Sequence, residues 1–445
     1  MTLEATAGLG GSRVDRVETI REEDVFGFRI EALALCLYFG RDAFAGAFRY
    51  YTTIMHLGTL WFVPDIVAFL CMATFAYRYA IKQSNPLAIF TLLYVGFSLY
   101  IGYVFLNDYR GGMSSLKMIA PIFVGFCFCG REVKDCKFLL GFIHALFYIS
   151  VIGLIWSSRV QFPWVGFEYE TFGAARIAGK LWWTGGQTRL QGFAADSTMA
   201  AYFVLMAYVM TSPRRGLIWC AGWMPVAFYA INNLATSKTA AGTLVLYFLA
   251  MMFVRLFQER YRFGVLRTLA LTSFLCLFIP VILMIVFAGT NLATMSRSLF
   301  SLQDRIDNSW QLPFVYMAKL MPLGFLTGCG LGCFNYPQQL FSDKISYWVP
   351  VDNFYIGSYL MLGPMFAVFM IFVVLATSRT KDIYKLSLTF VMNIYTITVL
   401  SYGPATGLLI IGLAFSEVFN RPPRGPSRVL VPAPSGALAV PIRSL

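Results

Sequence analysis

The sequence predicts an all-α polytopic membrane protein, on three observations. Of its 445 residues, 58% are hydrophobic and 13% charged, where ordinary globular domains carry about a quarter charged residues. The mean hydropathy is +0.66. Apolar runs of about 20 residues, the length a helix needs to cross the hydrocarbon core of a bilayer, recur along the whole chain.

Taken in order, these runs give spans at roughly 28–47, 59–79, 87–106, 113–130, 138–156, 193–211, 216–234, 239–254, 268–288, 351–375, 385–402 and 404–420. The first is the weakest, because Arg41 and Asp42 sit near its outer end. The pair 216–234 and 239–254 is nearly continuous, so the count is about twelve transmembrane helices, with eleven as the alternative. Residues 1–27 form an N-terminal segment that mixes Arg with acidic residues and shows no apolar core of a cleavable signal, so the first span acts as its own insertion signal. Residues 28–420 read as one transmembrane domain. The tail, 421–445, is rich in Pro and small residues (RPPRGPSR) and reads as disordered.

Orientation follows from the short loops. Arg78, Lys82, Arg131, Lys134, Lys137, Arg214 and Arg215 fall on one side, as do Arg255, Arg260, Arg262, Arg267, Arg379, Lys381 and Lys385. Basic short loops face the cytoplasm, so both termini are expected there. The formal net charge of +13 is accounted for by these span ends. It forms no stripe with interleaved aromatics, which argues against a nucleic-acid partner.

Two long segments remain on the other face, at about 157–192 and 289–350. The first carries Arg159, Arg176, Lys180 and Arg189, the second Arg297, Arg305, Lys319 and Lys344, against Glu168, Glu170, Asp304, Asp307 and Asp343. Both are rich in aromatic residues, including Trp164, Trp182, Trp183, Trp310 and Trp348, which stack on sugars and also anchor at headgroup level. Long loops of this kind are commonly functional. Arginine forks at a bilayer surface suit a lipid pyrophosphate, because a guanidinium pairs bidentately with phosphate and is always charged. Neither loop has acidic pairs at metal-ligand spacing, which points to a metal-independent mechanism without a cofactor. Cys127, Cys129 and Cys136 come nearest to metal spacing, but no histidine pattern completes a site. Most of the nine cysteines fall in apolar spans, so no disulfide framework is expected, and Cys329 and Cys333 are expected to pack.

Five segments, in order, carry a resemblance. They are TRLQGFAADSTMAAYFVL (Thr188 to Leu205), TSKTAAGTLVL (Thr236 to Leu246), DRIDNSW (Asp304 to Trp310), GCGLGCF (Gly328 to Phe334) and VDNFYIGSYLMLGP (Val351 to Pro364). Together they resemble the Wzy-type O-antigen and exopolysaccharide polymerases and the O-antigen ligases, a superfamily of the GT-C kind. The resemblance covers about a third of the chain. It departs from the pattern at Lys238, where the family usually has Arg, and at Asp352, where ligases usually have His.

The resemblance implies a glycosyltransferase of the bacterial inner membrane, its active site facing the periplasm. It would join undecaprenyl-pyrophosphate-linked oligosaccharide repeats by inverting transfer, and the narrower likeness is to polymerases of xanthan-type exopolysaccharides. Partners implied are membrane lipids, a chain-length-regulating co-polymerase and export machinery. Arg189 and Arg305 correspond to the arginines placed on the pyrophosphate, with Arg176, Lys238 and Arg297 as secondary members of that clamp and Asn353 and Trp310 as further substrate contacts. Asp352 is either a general base toward a sugar hydroxyl or a helix cap with Asn353. The alternatives are an O-antigen-type ligase, disfavoured by the absent histidine, and a flippase for the same lipid-linked sugar. A flippase would hold its chemistry at the bilayer midplane. Asp65 inside the second span and Asp196 at the start of the sixth are weaker candidates, as are His56, His144 and Arg110.

Overall fold

A computed structural model describes residues 30–171, 174–184, 187–290, 292, 299–402 and 404–420. The N-terminal segment, the tail and Arg297 lie outside the described residues.

A rod bent at Phe44 comes first, α1 (30–43) and α2 (Ala45–Ile54). Next are α3 (Gly58–Lys82), α4 (Pro86–Leu106), α5 (Tyr109–Phe126) and α6 (Lys137–Ser157). After the first outer loop come α7 (Ser197–Thr211), α8 (Leu217–Tyr229), α9 (Lys238–Leu256) and α10 (Glu259–Val286). The second loop holds α11 (300–320), α12 (Gly324–Thr327) and α13 (Tyr336–Phe341). The chain closes with α14 (Phe354–Leu362), α15 (Pro364–Thr377), α16 (Ile383–Tyr395) and α17 (Ala405–Phe419). Among the described residues, five continuous helices, α3, α4, α6, α9 and α10, are long and apolar enough to cross a membrane. The architecture is that of an all-α membrane protein. Most junctions are set by local chemistry. Asn85, Asp108, Asp196 and Asp382 each cap the following helix by accepting a backbone N–H, and Asn107 ends α4 in the left-handed region that Asn tolerates.

On the basic face the helices are tied by buried ions. Glu31 pairs with Arg78 at 2.9 Å and Arg131 at 3.0 Å. Lys385, fully buried, reaches Glu417 and donates to the Phe128 carbonyl at 2.7 Å. Removing one member of such a pair strands the other, at a cost of about 3–5 kcal/mol.

The first outer loop departs from the sequence reading in carrying two antiparallel hairpins. Glu168–Thr171 (β1) pairs with Ala174–Ile177 (β2), and Trp182–Thr184 (β3) with Gln187–Arg189 (β4). Trp164 fixes the base of this loop. It is buried, stacks on Phe162 at 4.4 Å and donates from Nε1 to the Gly192 carbonyl at 3.1 Å. Trp182 and Trp183 stand exposed.

The second loop folds into the bundle. Its Gly-rich turn dips between α4 and the break separating α14 from α15. A helix that stops at Leu362 leaves its last carbonyls without partners, and the turn supplies them. Cys329 N–H donates to Leu360 O at 2.8 Å and Gly330 N–H to Met361 O at 3.1 Å, while Leu331 N–H reaches Ser98 O on α4 at 2.9 Å. The break lies nine residues into the helix, about 13 Å below its start. Backbone contact this close excludes side chains. A Cβ on Gly330 would lie 2.0 Å from Gly102 N, and one on Gly328, itself at φ +76°, 2.3 Å from Met361 O. A further correction concerns the cysteines. Cys329 and Cys333 form a disulfide across this turn, with the other seven free.

Gly330→Ala is expected to shift thermal unfolding in detergent downward, since overpacking costs about 1–3 kcal/mol. Gly141→Ala, in open space on α6, is the control and should leave the transition in place or raise it. Equal transitions would refute the close contact.

Candidate functional site

Arg305 and Asp352 meet at the outer mouth of the bundle. Arg305 opens a π-helical turn, Arg305–Gln311, within α11, a distortion frequent at functional sites. Its Nε lies 3.8 Å from Asp352 Oδ2, and both side chains keep part of their surface open. The capping alternative resolves in favour of Asn353. That residue starts α14, its Oδ1 accepting the Ile356 N–H and its Nδ2 donating to the Ile397 carbonyl, each at 2.8 Å. Asn353 is buried by these tasks, and Asp352 is left to face the arginine. Burial lifts the Asp352 carboxyl above the usual carboxylate range; Arg305 pulls it back and Asp304 pushes it up.

Arg189 approaches from the other loop. It ends β4, opposite Trp182, and its Nε donates to the Ala235 carbonyl at 3.4 Å while Leu190 N–H bonds Leu234 O at 2.9 Å. Those carbonyls belong to a second π-helical turn, Ala230–Leu234, and the residue after it. Burial draws the Arg189 guanidinium below its ordinary range, with Asp196 opposing and Arg305 reinforcing the shift. The two arginines therefore lie within each other's field. Their supports also touch. Lys238 starts α9 three residues beyond Ala235, and its neighbour Thr239 shares a 2.6 Å hydroxyl contact with Thr398, one residue after the carbonyl that Asn353 holds.

The remaining candidates separate. Lys238 is exposed at the turn. Trp310 is fully buried and packs inside the core. Arg176 lies on the other hairpin, opposite Tyr169, among the charges around Arg49 rather than in the clamp. Asp196 caps α7 through the Met199 N–H at 2.8 Å. His144 on α6 rests against Tyr148 of the same helix and Trp219 of α8, and His56 stands exposed in a tight turn. The sequence reading passed over Arg49 and Lys117, whose signal was charge in or beside an apolar run.

Beside Asp352 and Asn353 the next residue, Phe354, lines an apolar cavity of about 110 Å³ between α4, α5, α14 and α15, with Ile119, Phe123, Phe366 and Phe369 among its walls. Among the described residues no group of three His, Cys, Asp or Glu side chains is placed to hold a metal. The arrangement offers two permanent cations to an anion, a carboxylate of raised proton affinity beside one of them, and an apolar slot next to it. No family model, curated protein or solved structure matches the chain.

The electrostatic assignment has a direct test in carbodiimide labelling of Asp352, which modifies the protonated carboxyl, followed by mass spectrometry across pH. Arg305→Ala removes the cation that lowers the carboxyl, so half-labelling should move to higher pH. Asp304→Asn removes a repelling anion and should move it lower. Unchanged profiles in both variants would dissociate Asp352 from these neighbours.

Proposed function

We propose that the protein is a polysaccharide polymerase of the bacterial inner membrane, acting on its periplasmic face on oligosaccharide repeats carried by undecaprenyl pyrophosphate. In this reading all twelve stretches cross the bilayer in a GT-C-like bundle. The observation that carries it is the pairing of Arg305 with the half-buried carboxylate of Asp352, with Arg189, from the other outer loop, close enough to Arg305 to be repelled by it. Guanidinium forks recognise a diphosphate, and the apolar cavity beginning at Phe354 suits the isoprenoid chain that carries it.

The chemistry follows from charge. A hydroxyl of the acceptor sugar attacks the anomeric carbon of the donor and gives its proton to Asp352. The new C–O bond forms as the bond to the diphosphate oxygen breaks, on the opposite face, so configuration inverts. The diphosphate departs with the electron pair, and Arg189 and Arg305 stabilise the charge that develops on it. A raised proton affinity makes Asp352 a stronger base than a free carboxylate. The same residue stands where a ligase of the resembling superfamily has histidine, which favours chain growth over ligation. The growing chain is the donor, so each new repeat joins at the reducing end.

The test uses the purified protein in liposomes supplied only with lipid-linked repeats, its products sized on a gel. A ladder of repeat multiples is expected. Arg189→Ala and Arg305→Ala should each lower chain growth roughly 100-fold or more, the loss typical of a charge-stabilising donor, at unchanged protein level. Lys at either position should rescue poorly, since the fork is lost. Movement of intact units across the bilayer without a ladder would overturn the enzyme reading in favour of a flippase.

A further inference from the structure

A second body of buried charge lies among α1, α2, α3 and α5, apart from the clamp. Asp65, inside α3, accepts from the Tyr38 hydroxyl and from Arg41 Nη1, each at 3.0 Å, and pairs with Lys117 Nζ on α5 at 3.1 Å. Asp42 takes Arg41 Nε at 2.8 Å, and its other oxygen accepts the Thr406 N–H at 3.1 Å. Both carboxylates are thereby committed to Arg41 and Lys117.

Two more guanidinium groups stand beside them, and among the described residues neither has a carboxylate partner. Arg49 on α2 is only 5% exposed. It lies over the Trp61 ring at 3.7 Å and the Tyr169 ring at 4.6 Å, with the Tyr169 hydroxyl as a polar neighbour. Arg176 projects from β2 opposite Tyr169. The Nε of each is buried without a hydrogen-bond partner. Arg49 is close enough to Arg176 and Arg41 to be repelled by both, and Tyr336 of α13 lies in the field of Arg176, Asp65 and Arg41, so hairpin and helices share one cluster of charge. Four cations against two carboxylates leave a surplus of two positive charges.

Burying guanidinium groups without counter-charge is strongly unfavourable, and ionisable groups within spans are kept for pairing or for function. Rings over the face of Arg49 leave its N–H groups directed in its own plane, the geometry that grips a phosphate. Lys117 sits eight residues into α5, about 12 Å along the helix, so an anion that meets it must enter below the headgroup surface. A phosphate attached to a lipid is delivered at that depth.

We propose that Arg49 and Arg176, backed by Arg41 and Lys117, form a second anion site that takes the diphosphate of a second membrane-anchored isoprenoid, the acceptor in chain growth. Naming the acceptor rests on the function proposed above; the anion site does not. The site shares no residue with the Arg189–Arg305 clamp. Two sites suit a reaction that joins two lipid diphosphates, whereas transfer to an acceptor without a diphosphate needs one.

The experiment measures binding stoichiometry of geranylgeranyl diphosphate to the full chain in nanodiscs by calorimetry, with inorganic diphosphate and phosphatidylglycerol as competitors. Two equivalents are expected for the natural protein. Arg49→Gln or Arg176→Gln should remove one or weaken it at least tenfold, and Arg189→Gln should affect the other. Arg176→Gln, on a surface hairpin, guards against misfolding at the more buried Arg49, with gel-filtration profile as the check. One equivalent in the natural protein, or two retained in both variants, would overturn the site. Displacement by inorganic diphosphate at far higher concentration than the isoprenyl probe supports a lipid-borne ligand, while equal potency, or full displacement by phosphatidylglycerol, would overturn that assignment. Two equivalents without a product ladder would leave the site standing and remove the polymerase reading. A ladder with one equivalent would do the reverse.

Discussion

Hydrocarbon offers no hydrogen bonds, and much of this structure follows from how the chain meets that constraint where a helix stops inside the bundle. The break at Gly363 frees the carbonyls of Leu360, Met361 and Leu362. A lipid-facing break would leave them unsatisfied at several kcal/mol each. Here the Gly-rich turn enters and donates to Leu360 and Met361, and the Tyr94 hydroxyl donates to Leu362. The turn in turn needs Ser98 on α4 for its own Leu331 N–H. A short α14, a dipping loop and a glycine on α4 are thus one solution. Its effect reaches upward, because the capped start of α14 is what presents Asp352 to Arg305.

The buried ions divide into two layers of different character. Those on the basic face, Glu31 with Arg78 and Arg131, and Lys385 with Glu417, are each held in a direct ion pair, and they tie distant segments together. Those around Asp65 are unmatched, with cations in excess. A matched pair serves packing. An unmatched cluster stores an electrostatic demand that the polypeptide leaves open.

Much of the helical frame was legible in the sequence because the relevant signals are local. Asp196 at the start of the sixth span, and charge at span ends, mark helix limits within a few residues. What was not legible depends on partners far along the chain. The stretch at about 157–192 read as a long loop of mixed charge rich in aromatics, yet it carries two hairpins, with Trp164 bonded to Gly192 at their base. The sequence could not say that the turn after Thr327 goes inward, because its partners lie on α4 and α14. The cysteines at 329 and 333 looked like packing residues for the same reason. At the site, Arg189, Arg305 and Asp352 were legible as residue types. Only geometry separates Asn353, the cap, from Asp352, and moves Arg176 from the clamp to the side of Arg49.

The seam between α4 and the Gly-rich turn also sets an order of assembly. Tyr94 and Thr327, joined in the finished seam, are 233 residues apart. At ~5–20 residues per second of synthesis, α4 waits roughly 10–50 seconds for its partner. During that interval the Ser98 carbonyl and the bare surface at Gly102 form an unfilled notch in a helix already made. Long-range contacts of this kind form late and slowly. The outer mouth therefore completes last, after α14 has been made, and a chain truncated before Phe354 would have Arg189 and Arg305 but no seat for the carboxylate that meets Arg305.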